Sequence, residues 1–218
     1  MSSAVIQLLV LAGIAVFLIM RLKNVLGTRE GFEKPPAKIS SSARKRSDFE
    51  VIEGGPDRDI TDHVAEGSGA AKALAAMKSA EPSFMVGDFL SGARGAYEMI
   101  LMAFEKGDMQ QIRPFLGDEV FESFSDVVKS REEQGLTIDA HFVGVRELTL
   151  TDAEFDEKSR VGEITVRFVG ELTSVVRDKD GQVVEGNPNE IKRQRDVWTF
   201  ARPMGTDDPN WQLVATGG

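Results

Sequence analysis

The hydrophobic pattern of the chain changes twice, from one continuous apolar run to helical spacing and then to alternation. Residues 4–20 read AVIQLLVLAGIAVFLIM, and only Gln7 among them is polar. A helix rises about 1.5 Å per residue, so this run spans about 25 Å, at the short end of the membrane-spanning range. Residues 1–26 are therefore predicted to form a transmembrane anchor with its basic flank.

A cleaved signal peptide and a buried core helix are the alternatives to this anchor. A signal peptide has a basic start and a small-residue cleavage site after its apolar core. Here Met1-Ser2-Ser3 carries no side-chain charge, and the apolar core runs directly into Arg21. A core helix needs nearby apolar segments to cover it, and the residues that follow offer none. The anchor is the preferred interpretation.

Helical spacing begins near Phe84 and continues to residue 133. Residues 86–104 place apolar side chains three and four positions apart, which predicts a long amphipathic helix ended by Gly107-Asp108. A shorter apolar pattern follows over residues 109–116. A third helix is predicted over residues 119–133, with Asp118 as its N-cap and Gly135 after its end.

Alternation replaces helical spacing after Gly135 and predicts β-strands. The first covers residues 138–150, as one long bent strand or as two pieces around Gly144, and the next covers residues 164–176. The residues DKDG at 178–181 predict a turn and an antiparallel return. Two further strands are predicted over residues 192–200 and 211–215. Helices followed by a meander predict an α+β domain, with about three helices on the concave face of a curved sheet.

The segment between the anchor and this domain has a different composition. Residues 27–66 are rich in Gly, Pro and Ser, with few large apolar residues, and are predicted to be a flexible tether. Residues 67–83 are Ala-rich and predict an accessory helix with Leu74 and Met77 inward, docked on the membrane, the domain or a partner. Residues 84–218 form the predicted α+β domain.

Charge is distributed unevenly along the chain. The 26 Lys/Arg and 35 Asp/Glu give a net charge of −9, which argues against a nucleic-acid-binding protein. Between Arg21 and Arg46, however, eight Lys/Arg face two Glu, a net of +6, which leaves −15 for the rest. We call residues 21–46 the basic collar. Because the basic flank follows the anchor, the C-terminal domain is predicted to lie in the cytoplasm.

The basic collar has two interpretations of its own. Its cluster Arg44-Lys45-Arg46 can contact anionic lipid headgroups, at about 1 kcal/mol per charge near the surface. The same cluster can equally be a solvated part of the tether.

Four stretches of the sequence resemble the bacterial members of the Tim44-like family. They are RLKNVLGTREGF at 21–32, the helical stretches at 89–108 and 112–124, and VWTFARPMGTDDPNWQLVAT at 197–216. The resemblance implies a relative of the mitochondrial inner-membrane import-motor adaptor, with a cone-like fold similar to nuclear transport factor two. It also implies a non-enzymatic domain at the bacterial inner membrane, which holds a chaperone or translocon component there or associates with lipid.

The residues that carry chemistry in other proteins are sparse here. The chain has no cysteine and two histidines. His63 falls in the predicted tether, and His141 alternates with apolar neighbours, so its side chain is expected to face solvent. Tyr97 has the helical phase of a core residue. No metal, nucleotide or nucleophile motif occurs.

Two polar or small-residue clusters receive structural interpretations. The stretch Gly92-Ala93-Arg94-Gly95 lies inside the first long predicted helix, where small residues allow another helix to approach closely. The pairs Asp152/Glu154 and Asp156/Glu157 are interpreted as a solvated acidic loop. No catalytic, cofactor-binding or metal-ligating residue is predicted, and no cofactor.

Three function classes remain open from the sequence. The first is a membrane-tethered scaffold for protein translocation, insertion or quality control, with the membrane and a chaperone or translocon component as partners. The second is a domain that binds lipid or another hydrophobic ligand in the cavity of the cone. The third is an isomerase- or dehydratase-like enzyme, which would use a pocket acid with Tyr or His.

Overall fold

The computed structural model describes residues 55–217. The predicted anchor at 1–26, the basic collar and most of the predicted tether lie outside the described residues. None of the helices within residues 55–217 combines the length and the hydrophobicity that a membrane span requires. The single-pass anchor therefore stays a prediction from the sequence.

The described helices precede the sheet along the chain. They are α1 (Arg58–Thr61), α2 (Gly69–Ala80), α3 (Val86–Lys106), α4 (Met109–Ile112) and α5 (Asp118–Glu133), with a 3₁₀ turn at Arg113–Phe115. Helix α3 ends at Gly107, whose φ of +79° is left-handed and favours glycine. The prediction for Asp118 was wrong. Gly117 is the N-cap of α5, and Asp118, its first residue, pairs with Arg113 instead.

The sheet is an antiparallel meander of four strands in chain order. They are β1 (Thr137–Asp156), β2 (Val161–Arg177), β3 (Val183–Pro203) and β4 (Gln212–Gly217). This confirms the α+β class. Strand β1 is one continuous strand, bent by register shifts near Gly144, Val145 and Leu150. The predicted acidic loop was wrong in part, because Asp152, Glu154 and Asp156 belong to β1 and only Glu157 lies in the turn.

Strand β3 extends further towards its N-terminal end than its hydrophobic pattern predicts. Leu172 pairs with Lys192 and Ser174 pairs with Asn187, so residues 188–191 form a bulge opposite Thr173. Every residue from 183 to 191 is exposed, so this end of the β2–β3 hairpin shows no apolar alternation.

Helices α2 and α3 pack against β1 and enclose one hydrophobic core. Helix α2 contributes Leu74 and Met77, both 0% exposed, and α1 contributes Ile60. The structure thus differs from the predictions of a flexible tether that continues to residue 66 and of an accessory helix separate from the domain. Residues 57–80 pack into the same core as the rest, and of the three predicted docking partners for the Ala-rich helix the structure has the domain.

The Asp59 carboxylate holds α1 in place against the start of α3. Asp59 accepts hydrogen bonds from the N–H groups of Val86, at 2.7 Å, and Gly87, at 2.9 Å, which open α3. Lys78 on α2 donates to the same carboxylate at 2.8 Å. A helix N-terminus leaves its first N–H groups without intrahelical partners, so Asp59 caps α3 from outside the helix.

Candidate functional site

An aromatic groove opens between the start of α3, the 3₁₀ turn and the loop before β4. Its volume is about 350 Å³, at the lower end of the range for small-molecule sites. Five aromatic side chains line it: Phe84, Phe89, Phe115, Phe200 and Trp211. The ring centroids of Phe89 and Trp211 lie 4.7 Å apart, and those of Phe89 and Phe200 lie 6.0 Å apart.

The polar end of the groove is an ion pair below the Trp211 ring. Arg202 is 5% exposed, and its Nη2 donates to Glu81 Oε1 at 2.7 Å. Nη1 donates to the carbonyl oxygen of Asp208 at 3.2 Å, and the guanidinium carbon lies 5.2 Å from the centre of the Trp211 ring. Among residues 55–217, the buried Nε atom of Arg202 has no hydrogen-bond partner. A buried donor in that state costs free energy.

Glu81 holds its negative charge in this partly buried place. Burial alone would raise the pKa of the Glu81 carboxyl. The hydrogen bond from Arg202 and the one from the Gly205 N–H, at 2.7 Å, favour the charged form and bring the pKa below its usual value. The Glu81 carboxyl is therefore ionised at neutral pH.

Gly92 gives the groove part of its open space. A Cβ atom at Gly92 or at Gly95 would meet nothing within 4 Å. The interpretation that these glycines allow another helix to approach closely was therefore wrong. Gly92 lines the groove, whereas Gly95 does not.

A second polar contact lies inside the core, away from the groove. Tyr97 is 0% exposed, as predicted, and its hydroxyl donates to Asp196 Oδ2 at 2.6 Å. Its ring stacks on Phe168 at a centroid distance of 4.4 Å. Burial and the neighbouring Asp196 carboxylate raise the pKa of Tyr97. This arrangement resembles an acid–tyrosine pair, but Tyr97 is fully enclosed by packed side chains.

Neither histidine lines the groove. His141 is exposed on β1, as predicted, and its Nε2 lies 3.5 Å from Asp139 Oδ1. His63 is exposed after α1. Among residues 55–217, no group of three or more His, Asp or Glu side chains is placed to hold a metal ion.

Sequence reasoning missed the Glu81–Arg202 pair. The two residues are 121 positions apart, and neither lies in a motif that predicts a partner. Arg202 and Trp211 do fall within the stretch 197–216, one of the four that resemble the Tim44-like family. That resemblance was the signal that could have pointed to them.

The unit that carries the groove matches a family model. The match is to the Tim44-like domain and covers residues 70–218. The chain is also similar to curated proteins. It is 25% identical over 118 residues to the probable mitochondrial import inner membrane translocase subunit tin-44 of Caenorhabditis elegans, covering 53% of this chain and 27% of that protein. It is 21% identical over 162 residues to the mitochondrial import inner membrane translocase subunit TIM44-1 of Arabidopsis thaliana, covering 72% of this chain and 34% of that protein.

The human relative and one solved structure complete the comparison. The chain is 22% identical over 117 residues to human mitochondrial import inner membrane translocase subunit TIM44, covering 53% of this chain and 25% of that protein. It thus spans about a third or less of the curated relatives it matches. The intermembrane space region of the chloroplast protein ARC6 aligns with a TM-score of 0.40 and 8% identity, over 59% of this chain and 94% of that one.

Proposed function

The chain belongs to the Tim44-like domain family, and we propose that it is a membrane-tethered, non-enzymatic scaffold in protein translocation, insertion or quality control at the bacterial inner membrane. The observation that carries the proposal is the family match, which covers nearly all of the folded unit. The similar proteins are named as subunits of a mitochondrial inner-membrane translocase. In the proposed arrangement, residues 1–26 anchor the chain and the folded unit faces the cytoplasm.

The chemistry of the groove supports a binding role over a catalytic one. Its walls are aromatic, and its buried charges, Glu81 and Arg202, neutralise each other. Apolar walls with a few placed polar groups are typical of recognition sites. The acid–tyrosine pair at Tyr97 has no open volume beside the phenol, which argues against the isomerase-like class.

Capture from membranes tests the scaffold. The full-length protein, tagged at its C-terminus, is purified from detergent-solubilised membranes beside a control that carries only residues 1–54 and the tag. We expect a chaperone or translocon component to be enriched with the full-length protein over the control. Equal recovery from both, or recovery of lipid alone, would contradict the scaffold.

A second candidate function is favoured by the aromatic walls of the groove. A molecule with an apolar body, such as a fatty acid or phospholipid, would fill the aromatic groove. The folded unit would then bind lipid in addition to, or in place of, a protein partner.

Two glycines of α3 provide a matched test of this candidate. In Gly92→Leu the new side chain enters the groove, whereas in Gly95→Leu it projects from the same helix outside the groove. Both changes raise helix propensity by about 0.8 kcal/mol, so loss of folding is not expected. A fluorescent fatty-acid analogue should bind the native chain and the Gly95 variant and fail to bind the Gly92 variant. Equal binding to both variants would exclude the groove.

A further inference from the structure

One face of the sheet packs on the helices, and the other carries polar side chains. Along β2, Ile164 and Val166 belong to the core and are 0% exposed. Successive side chains of a strand point to opposite faces, so Glu163, Thr165 and Arg167 lie on the other side, which we call the outer face. The buried residues of the helices all belong to the core cluster. In the described part of the chain, therefore, no helix covers the outer face.

A small acidic pocket of about 120 Å³ opens on the outer face. Three carboxylates line it, those of Asp152, Glu154 and Glu163, together with Thr165 and Thr199. Glu154 and Glu163 are directly opposed in the pairing of β1 with β2, and like charges in such positions destabilise a sheet. Within residues 55–217 neither of them forms an ion pair. A cation that enters the pocket would offset this repulsion.

An arginine without a counter-charge lies on the same strand and the same face. Arg167 is exposed, and its neighbours across the sheet are the uncharged Thr149 and Val197. It forms no ion pair with any other described residue. Glu163 and Arg167 stand two positions before and two positions after Thr165, so each is about 7 Å from it along β2. The arginine and the acidic pocket are therefore placed symmetrically about Thr165.

This symmetry makes the outer face complementary to a second copy of itself. If two outer faces stack about a two-fold axis that crosses the strands at Thr165, Glu163 of each copy faces Arg167 of the other. An axis parallel to the strands, between β2 and β3, would set Glu163 opposite Ala201 and form no such charge pair. Thr165 and Thr199, whose hydroxyl oxygens lie 3.0 Å apart, are small enough to let the two sheets approach at the axis.

We propose that the outer face is an interface between two copies of this chain, in which the Arg167 guanidinium of each copy enters the acidic pocket of the other. The contact occurs twice about the two-fold axis, so it closes as a dimer and does not continue as a chain of subunits. This goes beyond the proposed scaffold function and does not depend on which partner the scaffold holds.

The absence of cysteine from the chain permits a direct test of this contact. The full-length protein with T165C carries one thiol, which lies on the proposed axis and so faces the same thiol of the second copy. Stacked sheets lie about 10 Å apart, which a short bis-maleimide can span. We expect this reagent to join two chains in isolated membranes. S123C, exposed on α5 away from the outer face, is the control and should give several-fold less of the joined product.

A charge exchange in chains that carry T165C provides the second measurement. E163R sets arginine against arginine across the axis, and R167E sets glutamate against glutamate, so each should reduce the crosslink several-fold. Coexpression of the two variants with different tags should restore it between unlike chains, because opposite charges then face each other. K72E and E157R make the same changes of charge at exposed positions on α2 and in the β1–β2 turn, and should leave the crosslink unchanged.

Three results would overturn the proposal. The first is a T165C crosslink no stronger than that of S123C. The second is a T165C crosslink that neither E163R nor R167E weakens. The third is a crosslink that both variants weaken but that their coexpression does not restore, because opposite charges would then make no difference.

Discussion

The hydroxyl of Tyr97 donates a hydrogen bond to the Asp196 carboxylate across 2.6 Å and so ties the middle of α3 to β3. The sheet is shaped around this ring. A Cβ atom on Gly170 would lie 2.6 Å from the Tyr97 hydroxyl oxygen, so glycine is required where β2 passes beneath the phenol. Phe168 and Trp198 contact the same ring, at centroid distances of 4.4 Å and 4.8 Å. The contact therefore combines a hydrogen bond with aromatic packing at the centre of the fold.

Tyr97→Phe should destabilise the protein by about 1–2 kcal/mol at neutral pH. The change keeps the ring and removes the only donor that the structure directs from α3 to Asp196 Oδ2 within the described residues. Urea unfolding of the two proteins measures the difference. A cycle with Asp196→Asn should show coupling between the two positions. Strict additivity would mean that the hydrogen bond contributes nothing.

The stability difference between the native protein and Tyr97→Phe should shrink at high pH. The pKa of Tyr97 is raised in the folded state, so the unfolded chain loses the phenol proton first. The stabilisation that the protonated Tyr97 hydroxyl gives the folded state is complete below the ordinary tyrosine pKa of about 10. It is lost as the pH rises above that value. Tyr97 is the only tyrosine, so the variant removes the whole effect. Parallel stability curves up to pH 11 would contradict this expectation.

Glu81→Gln should cost about 3 kcal/mol, because it leaves the Arg202 guanidinium buried without its counter-charge. The folded pKa of Glu81 is lowered, so its contribution is present above the ordinary glutamate pKa of about 4.3 and is lost as the pH falls below it. The gap between native protein and variant should therefore close in acid. Glu98→Gln, exposed on α3, is the control and should change stability by less than about 0.5 kcal/mol.

Residues 57–80 should contribute directly to the stability of the folded unit. Leu74→Ala should cost about 2–5 kcal/mol, since the Leu74 side chain is 0% exposed. A chain that begins at residue 84 should melt with lower cooperativity than one that begins at residue 55, because it lacks Leu74, Met77 and the Asp59 cap. Circular dichroism during thermal unfolding measures both. Identical melts of the two chains would show that the unit is complete from residue 84.

The basic collar should govern binding to anionic vesicles once the anchor is removed. A chain from Arg21 onward carries the collar's net charge of +6 and should bind vesicles that contain anionic lipid at low salt. It should dissociate near physiological salt, because screening weakens each contact of about 1 kcal/mol. A chain from residue 55 onward should not bind. Salt-resistant binding of that shorter chain would instead indicate insertion of apolar surface from the folded unit.

The cytoplasmic location of the folded unit is a prediction from the same charge distribution. Protease added to intact spheroplasts should leave the folded unit whole, whereas protease added to inverted vesicles should digest it. An epitope tag at the C-terminus makes both results visible on one blot. Digestion in spheroplasts would place the domain on the other side of the membrane and contradict the cytoplasmic assignment.

The sequence by itself determined the elements whose physics is local. The three- and four-residue spacing from Val86 to Phe104 predicts α3, and the DKDG turn predicts the pairing of β2 with β3. Helical periodicity, alternation and turn residues act within a few positions, so they can be read without knowing the fold. The phase of Tyr97 and the exposure of His141 follow from the same local patterns.

Only the tertiary structure decided which distant groups meet. The segment from residue 57 to 66 looks polar and flexible, yet Asp59 finds the free N–H groups of α3, and Ile60 finds the core. Glu81 and Arg202 form the polar end of the groove across 121 positions. Such contacts depend on how the elements pack together, and no residue near either partner in the chain encodes the other.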